Sequence, residues 1–237
     1  MSQGLPTTWQ PVRVTEEPET HTGTRAGSAY LVRPGPHGDG TGPGVLVLHS
    51  WWGLNDGVKA FCEALCDAGF VVLAPNLLNG VIPETSAEAQ LELETSDPNK
   101  VAGLIVSSTI ALRSATVDPA RPVAVVGFSM GASWALWAAT RQPESIDRVV
   151  AYYGTQSMDF DQLRARVLGH FPTDDSLIAA DDLVEMEADL FERGLEPEFW
   201  HYDGAQHFFA EPAAVDAFDE AAAAVAWERT LSFLTAE

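Results

Sequence analysis

Residues 127–131 read Gly-Phe-Ser-Met-Gly, a G-x-S-x-G pentapeptide. Placed between a strand and a helix, this pattern forms a sharp turn that pushes the serine hydroxyl outward and aims the first amides of the helix at the same point. Glycine suits both flanks because neighbouring backbone comes too close there for a side chain. The context fits, since the apolar run Val123 to Gly127 reads as a strand and Ala132 to Thr140 as a helix. Ser129 is therefore the candidate nucleophile, and the Met130 amide a candidate donor to a developing oxyanion.

A serine hydroxyl attacks a carbonyl only when a base takes its proton, so a histidine oriented by a carboxylate must lie nearby. Of six histidines, His207 lies late in the chain in the loop Gly204-Ala205-Gln206-His207, after the expected strand Glu198 to Tyr202. That position completes the order Ser, Asp, His. His201 alternates along the strand, and His21 and His37 sit in early loops without a partner in view. The acid should close the segment Val167 to Asp175, ahead of a helix from about Asp181 to Arg193. Two neighbours compete there. Asp175 is preferred because Ile178 follows at the third position, as in hydrolases whose acid loop is pinned by an apolar residue, and Asp174 is then a solvent-facing turn residue. Asp181 and Asp182 suit a helix N-terminus.

The elements that must position these residues alternate between short β-rich runs and longer amphipathic stretches, the pattern of a mainly parallel sheet covered by helices. Pro11 to Glu17 and Ser28 to Arg33 read as a strand pair, with a Gly- and Pro-rich turn over Pro34 to Gly44. Val45 to His49 is a continuous apolar run suited to burial on both faces. Asn55 or Asp56 can cap the next helix, whose Val58, Phe61, Cys62 and Leu65 share one face before Gly69. Phe70 to Ala74 follows as a strand stopped by Pro75. Asn76 to Asn99 is less regular and acidic, a candidate small cap, and a further helix reaches Arg113.

With 237 residues, 46% hydrophobic and 20% charged, the chain suits one α/β domain over 1–237. A net charge of −21 excludes nucleic acid and anionic lipid as favourable partners. The N-terminus lacks a basic start and an apolar run, and no stretch reaches the roughly 18 apolar residues of a membrane span. The expectation is a cytoplasmic protein. Cys62 and Cys66, a helical turn apart with no histidine near, read as packing residues rather than a metal site.

Four segments, VLVLHSWWGLN, GFVVLAPNLL, VGFSMG and the pair VLGHFPTDDSLI and WHYDGAQHFF, resemble the dienelactone hydrolase family in order and spacing, from about Gly44 to about Pro212. The resemblance implies an α/β-hydrolase fold of about eight mostly parallel strands flanked by helices. It also implies a second oxyanion amide, that of Trp51, in the loop after the first core strand. Three positions depart from the family. Its best-known members use an elbow cysteine assisted by a glutamate in that loop, where this sequence has Ser129 and Ser50. They also carry, four residues after the catalytic histidine, an arginine that holds the substrate carboxylate, and here that residue is Glu211.

Ser50, Trp52 and Glu211 are thereby expected near the substrate. Glu211 either opposes an anionic substrate or faces solvent at the start of the C-terminal helix. Trp51 and Trp52 would form an aromatic lip or pack under the cap segment, and Trp134 and Trp137 belong to the core. The expected activity is hydrolysis of a small, neutral ester or lactone through an acyl-enzyme, without metal or organic cofactor. An acyltransferase with the same triad, or a binding protein on the same fold, are the alternatives.

Overall fold

The computed structural model describes residues 29–35, 38 and 40–236. Seven strands form one sheet: β1 (Ala29–Val32), β2 (Gly44–Leu48), β3 (Val71–Pro75), β4 (Val123–Phe128), β5 (Ile146–Tyr152), β6 (Arg166–Pro172) and β7 (Glu198–Tyr202). Their order is β1-β3-β2-β4-β5-β6-β7. Only β1 is antiparallel, pairing with β3. The fold is the α/β class that the alternation indicates, with seven strands among the described residues where about eight were expected. The expected strand Pro11 to Glu17 lies outside the described residues. β5 is a strand absent from the expectations above.

β2, β3 and β4 are buried along their whole length, as unbroken apolar runs covered on both faces must be. The helices are α1 (Asp56–Asp67), α2 (Ser86–Thr95), α3 (Pro98–Ala115), α4 (Met130–Arg141), α5 (Ala180–Glu192) and α6 (Glu220–Thr235). Asn55 caps α1 by accepting the Val58 N–H at 3.1 Å, and Val58, Phe61, Cys62 and Leu65 form its buried face. One core lies between the sheet and α1 and α6, and a second lies beneath α3, α4 and α5. Cys62 is buried and both cysteines are free thiols. Trp134 and Trp137 pack edge to face against the second core. No helix among the described residues is long and apolar enough to cross a membrane.

A polar rivet joins α6 to the sheet. His170 on β6 is fully buried, with Nδ1 2.9 Å from the Tyr202 hydroxyl and Nε2 3.0 Å from the Thr230 hydroxyl. The Tyr152 hydroxyl meets the same Thr230 at 2.7 Å. Burial pushes the His170 imidazole down to about 3, with the Arg229 charge adding to the effect. The ring is neutral and serves packing.

Candidate active site

β4 ends at Phe128 and α4 begins at Met130, so one residue makes the turn. Ser129 does so with φ 51° and ψ −115°, a conformation that costs a non-glycine residue about 1–3 kcal/mol. Neighbouring groups hold it there: its N–H donates to the Tyr152 carbonyl at 2.9 Å, and its carbonyl accepts from Ala132 and Ser133. A Cβ at Gly127 would lie 2.2 Å from the Gly131 oxygen, and one at Gly131 would lie 2.1 Å from the Leu48 oxygen. Gly127 is needed because the elbow folds the start of α4 back onto it, and Gly131 because the turn is pressed against the end of β2.

The loop after β7 carries His207 over this elbow, with Nε2 2.7 Å from Ser129 Oγ. Its Nδ1 lies 2.9 and 2.8 Å from the two oxygens of Asp175. Oδ1 of Asp175 also accepts the Leu177 and Ile178 N–H groups at 2.8 and 3.2 Å, which fixes the carboxylate. Ile178 in turn packs on the core. The side chains of His207 and Asp175 are 5% and 7% exposed, so little water competes for their contact. Asp174 is exposed and makes no hydrogen bond to His207. The structure thus brings Ser129, His207 and Asp175 into one hydrogen-bonded line that can move a proton from the serine to the imidazole.

Two backbone N–H groups in the segments around this line have no acceptor of their own among the described residues. Met130 N–H is the first of α4 and has no intrahelical acceptor. In the loop after β2, the Ser50 carbonyl accepts from Gly53 N–H at 3.2 Å and lies 2.7 Å from His49 Nδ1, while Ser50 Oγ accepts from Trp52 N–H at 3.2 Å. His49 Nε2 accepts the Leu77 N–H at 2.9 Å, which places the ring proton on Nδ1. The intervening Trp51 N–H has no acceptor among the described residues.

A cleft of about 860 Å³ opens beside His207. Trp51 stacks on Phe208 with centroids 5.7 Å apart, and Trp52 meets the same ring edge-on at 5.9 Å. Both tryptophans line the cleft as well as pack, so the two readings of the pair coexist. Ile82, Pro83 and Glu84, from the segment considered as a cap, line it too, as does Leu177. Glu84 and Asp216 are the acidic groups among the lining residues, and no lysine or arginine joins them.

Ser50 and Glu211 do not line the cleft. They touch each other behind it: the Ser50 hydroxyl donates to Glu211 Oε2 at 2.6 Å, and the Tyr153 hydroxyl donates to Oε1 at 3.1 Å. Glu211 is 4% exposed and precedes α6, which starts at Glu220. The expectation that Ser50 and Glu211 line the substrate site is therefore corrected, and so is the alternative of Glu211 as a solvent-facing first residue of the C-terminal helix. A tight turn, Glu211 N–H to the Phe208 carbonyl at 2.8 Å, folds the side chain inward instead. Tyr153, which sequence reasoning did not single out, packs its ring 5.0 Å from that of His207.

The family model described as "Dienelactone hydrolase family" matches residues 28–237. The chain belongs to the dienelactone hydrolase family. One relative, provisionally named a carboxymethylenebutenolidase in Aquifex aeolicus, is 24% identical over 201 residues, covering 81% of this chain and 87% of its own. A relative from a Bradyrhizobium species, named as a probable 2-oxo-3-(5-oxofuran-2-ylidene)propanoate lactonase, is 30% identical over 225 residues, covering 87% and 88%. The solved structure of a dienelactone hydrolase-like promiscuous phosphotriesterase from metagenomic libraries superposes with a TM-score of 0.77 at 21% identity, covering 88% of this chain and 92% of that one. This likeness shows the α/β-hydrolase fold.

Within this dienelactone hydrolase family chain, three buried groups couple stability to pH. Burial pushes His49 down to about 4 and His170 to about 3, against an ordinary 6.5. Burial also pushes Glu211 up to about 7 from 4.5, although its two hydroxyl donors favour the charged form. Between about pH 4.5 and 6.5 the unfolded chain binds two protons that the folded histidines refuse, and the folded chain keeps one on Glu211 that the unfolded chain releases. The unfolded state leads by about one proton, so stability falls by about 1.4 kcal/mol per pH unit as acid is added. Urea unfolding at pH 7.5, 6.0 and 5.0 should show this decline, mostly below pH 6.5. An unfolding free energy that stays level or rises from pH 6.5 to 5 would contradict the assignment.

Proposed function

We propose that the protein is a serine hydrolase that cleaves a carboxylic ester or lactone of a small neutral substrate through an acyl-enzyme. The observation that carries this reading is the line Ser129–His207–Asp175, hydrogen-bonded at every step and set beside an apolar, aromatic-walled cleft. Family membership and relatives named as a lactonase and a carboxymethylenebutenolidase support the same reaction class.

His207 Nε2 takes the Ser129 proton as the serine oxygen attacks the carbonyl carbon, and the negative oxygen that forms is met by the Met130 and Trp51 amides. The protonated imidazole, stabilised by Asp175, gives its proton to the leaving alkoxide. Water activated by the same imidazole then releases the acid and restores the serine. Trp52 serves as a wall for an apolar acyl or aryl group.

The relative's named substrate bears a carboxylate, but this cleft offers no lysine or arginine to hold one, and Glu84 and Asp216 repel it. A missing charge-assisted hydrogen bond is worth more than about 1.4 kcal/mol in a desolvated site, or roughly tenfold. Neutral short-chain or aryl esters and uncharged lactones should therefore exceed dienelactones in kcat/KM by at least roughly tenfold. A panel of neutral and anionic esters and lactones, assayed beside Ser129→Ala, tests both parts. Turnover no faster than that control would sink the hydrolase reading, and preference for the anionic lactone would sink the substrate class.

A further inference from the structure

Glu211 is a fully buried carboxyl group that the mechanism above does not use. It lies out of contact with the cleft, yet it connects three parts of the site. Its Oε2 takes the only proton of the Ser50 hydroxyl at 2.6 Å. With that proton committed, the Ser50 oxygen keeps a lone pair for the Trp52 N–H, 3.2 Å away. On the backbone side, the Ser50 carbonyl is held by Gly53 N–H and His49 Nδ1, and His49 is itself anchored to Leu77. The other carboxyl oxygen, Oε1, accepts from Tyr153, whose ring packs against His207 at 5.0 Å and Phe208 at 6.0 Å.

Residue 50 is thus fixed at both its carbonyl and its hydroxyl, and the next N–H along the chain is that of Trp51. We infer that Glu211 is a positioning residue: through Ser50 it holds the 50–53 loop so that the Trp51 N–H stays aimed at the developing oxyanion. The inference rests on the serine hydrolase reading. Without the carboxyl, the Ser50 hydroxyl rotates freely, can give its proton elsewhere, and no longer orders Trp52. An N–H displaced by about 1 Å serves the tetrahedral oxyanion poorly while substrate binding, which depends on the cleft walls, stays nearly intact.

The test uses the full chain and a neutral aryl ester, with Ser50→Ala, Glu211→Gln, Glu211→Leu and the double variant Ser50→Ala/Glu211→Leu. Ser50→Ala and Glu211→Leu should each lower kcat by about 10- to 100-fold with KM within about twofold. The double variant should be no worse than its worse parent, because both break one chain of contacts. Glu211→Gln should fall between, since its amide oxygen still accepts one hydroxyl. Binding of a trifluoromethyl ketone, which forms a tetrahedral oxyanion on the serine, should weaken in step with kcat, while binding of the matching methyl ketone should not. Should Glu211→Leu fail to fold, Ser50→Ala and Glu211→Gln carry the same comparison.

Four outcomes overturn the inference: a loss confined to KM, a changed ratio of neutral to anionic ester turnover, multiplicative losses in the double variant, or unchanged kcat in Ser50→Ala. The first two mark substrate contact, and the last two remove the coupling. Ser129→Ala separates this from the underlying reading: hydrolysis that survives in Ser129→Ala removes the nucleophile, whereas an inert Ser129→Ala beside normal Glu211 variants removes only the positioning role.

Discussion

Ser129→Ala should abolish labelling by a fluorophosphonate probe and lower ester turnover by on the order of 10⁵- to 10⁶-fold. The methyl group leaves the elbow geometry in place, because alanine bears the same φ of 51° at about the same cost as serine. Loss of activity then reports the missing oxygen rather than a collapsed turn, and an unchanged thermal midpoint would confirm that. Selectivity for this serine follows from its partners. Ser50 is buried and gives its proton to Glu211, so no imidazole can activate it. Ser176 borders the cleft but makes no hydrogen bond to His207, whose Nε2 meets Ser129. Residual turnover of the variant should stay somewhat above the uncatalysed rate, since the Met130 and Trp51 amides remain. Labelling and hydrolysis that persist in Ser129→Ala would show that the nucleophile lies elsewhere.

The elbow was legible because its signal is local: two glycines, a preceding apolar run and a following helix, all within about twenty residues. β2, β3 and β4 were legible for a related reason, since unbroken burial writes unbroken apolar runs. β5 was less so. Its first turn of chain carries Asp147 and Arg148 at the open end of the sheet, where they pair with each other at 3.1 Å, and this polar start obscures the apolar Val149–Tyr152. The environment of Glu211 could not be read at all. Its hydroxyl donors come from positions 161 and 58 residues away, and an acidic residue shortly before a helix looks in sequence like a solvated one. Such a buried carboxyl is dictated by tertiary contact alone.

The two adjacent acids were separated in sequence only by Ile178, and the structure supplies a sharper physical distinction. Asp175→Asn should lower kcat by on the order of 10⁴-fold, with KM little changed, while Asp174→Asn should stay within about twofold. Oδ1 of Asp175 accepts two backbone N–H groups, from Leu177 and Ile178. In the asparagine variant the amide oxygen must take that place, because an NH₂ group there would face two donors. The NH₂ group is then forced into the position of Oδ2, 2.8 Å from His207 Nδ1. It donates to Nδ1, so the ring proton moves to Nε2, and Nε2 can no longer accept the proton of Ser129. The backbone turn thus selects the wrong tautomer while preserving every distance, which is why a large loss of kcat should come with an intact fold. Asp174 is exposed and His207 Nδ1 meets Asp175 instead, so an amide at position 174 leaves the tautomer untouched. Steady-state kinetics on both variants with one neutral ester, beside their thermal midpoints, decides the matter. A severe Asp174→Asn with a mild Asp175→Asn would move the acid by one residue and break the link between the Leu177–Ile178 turn and the orientation of His207.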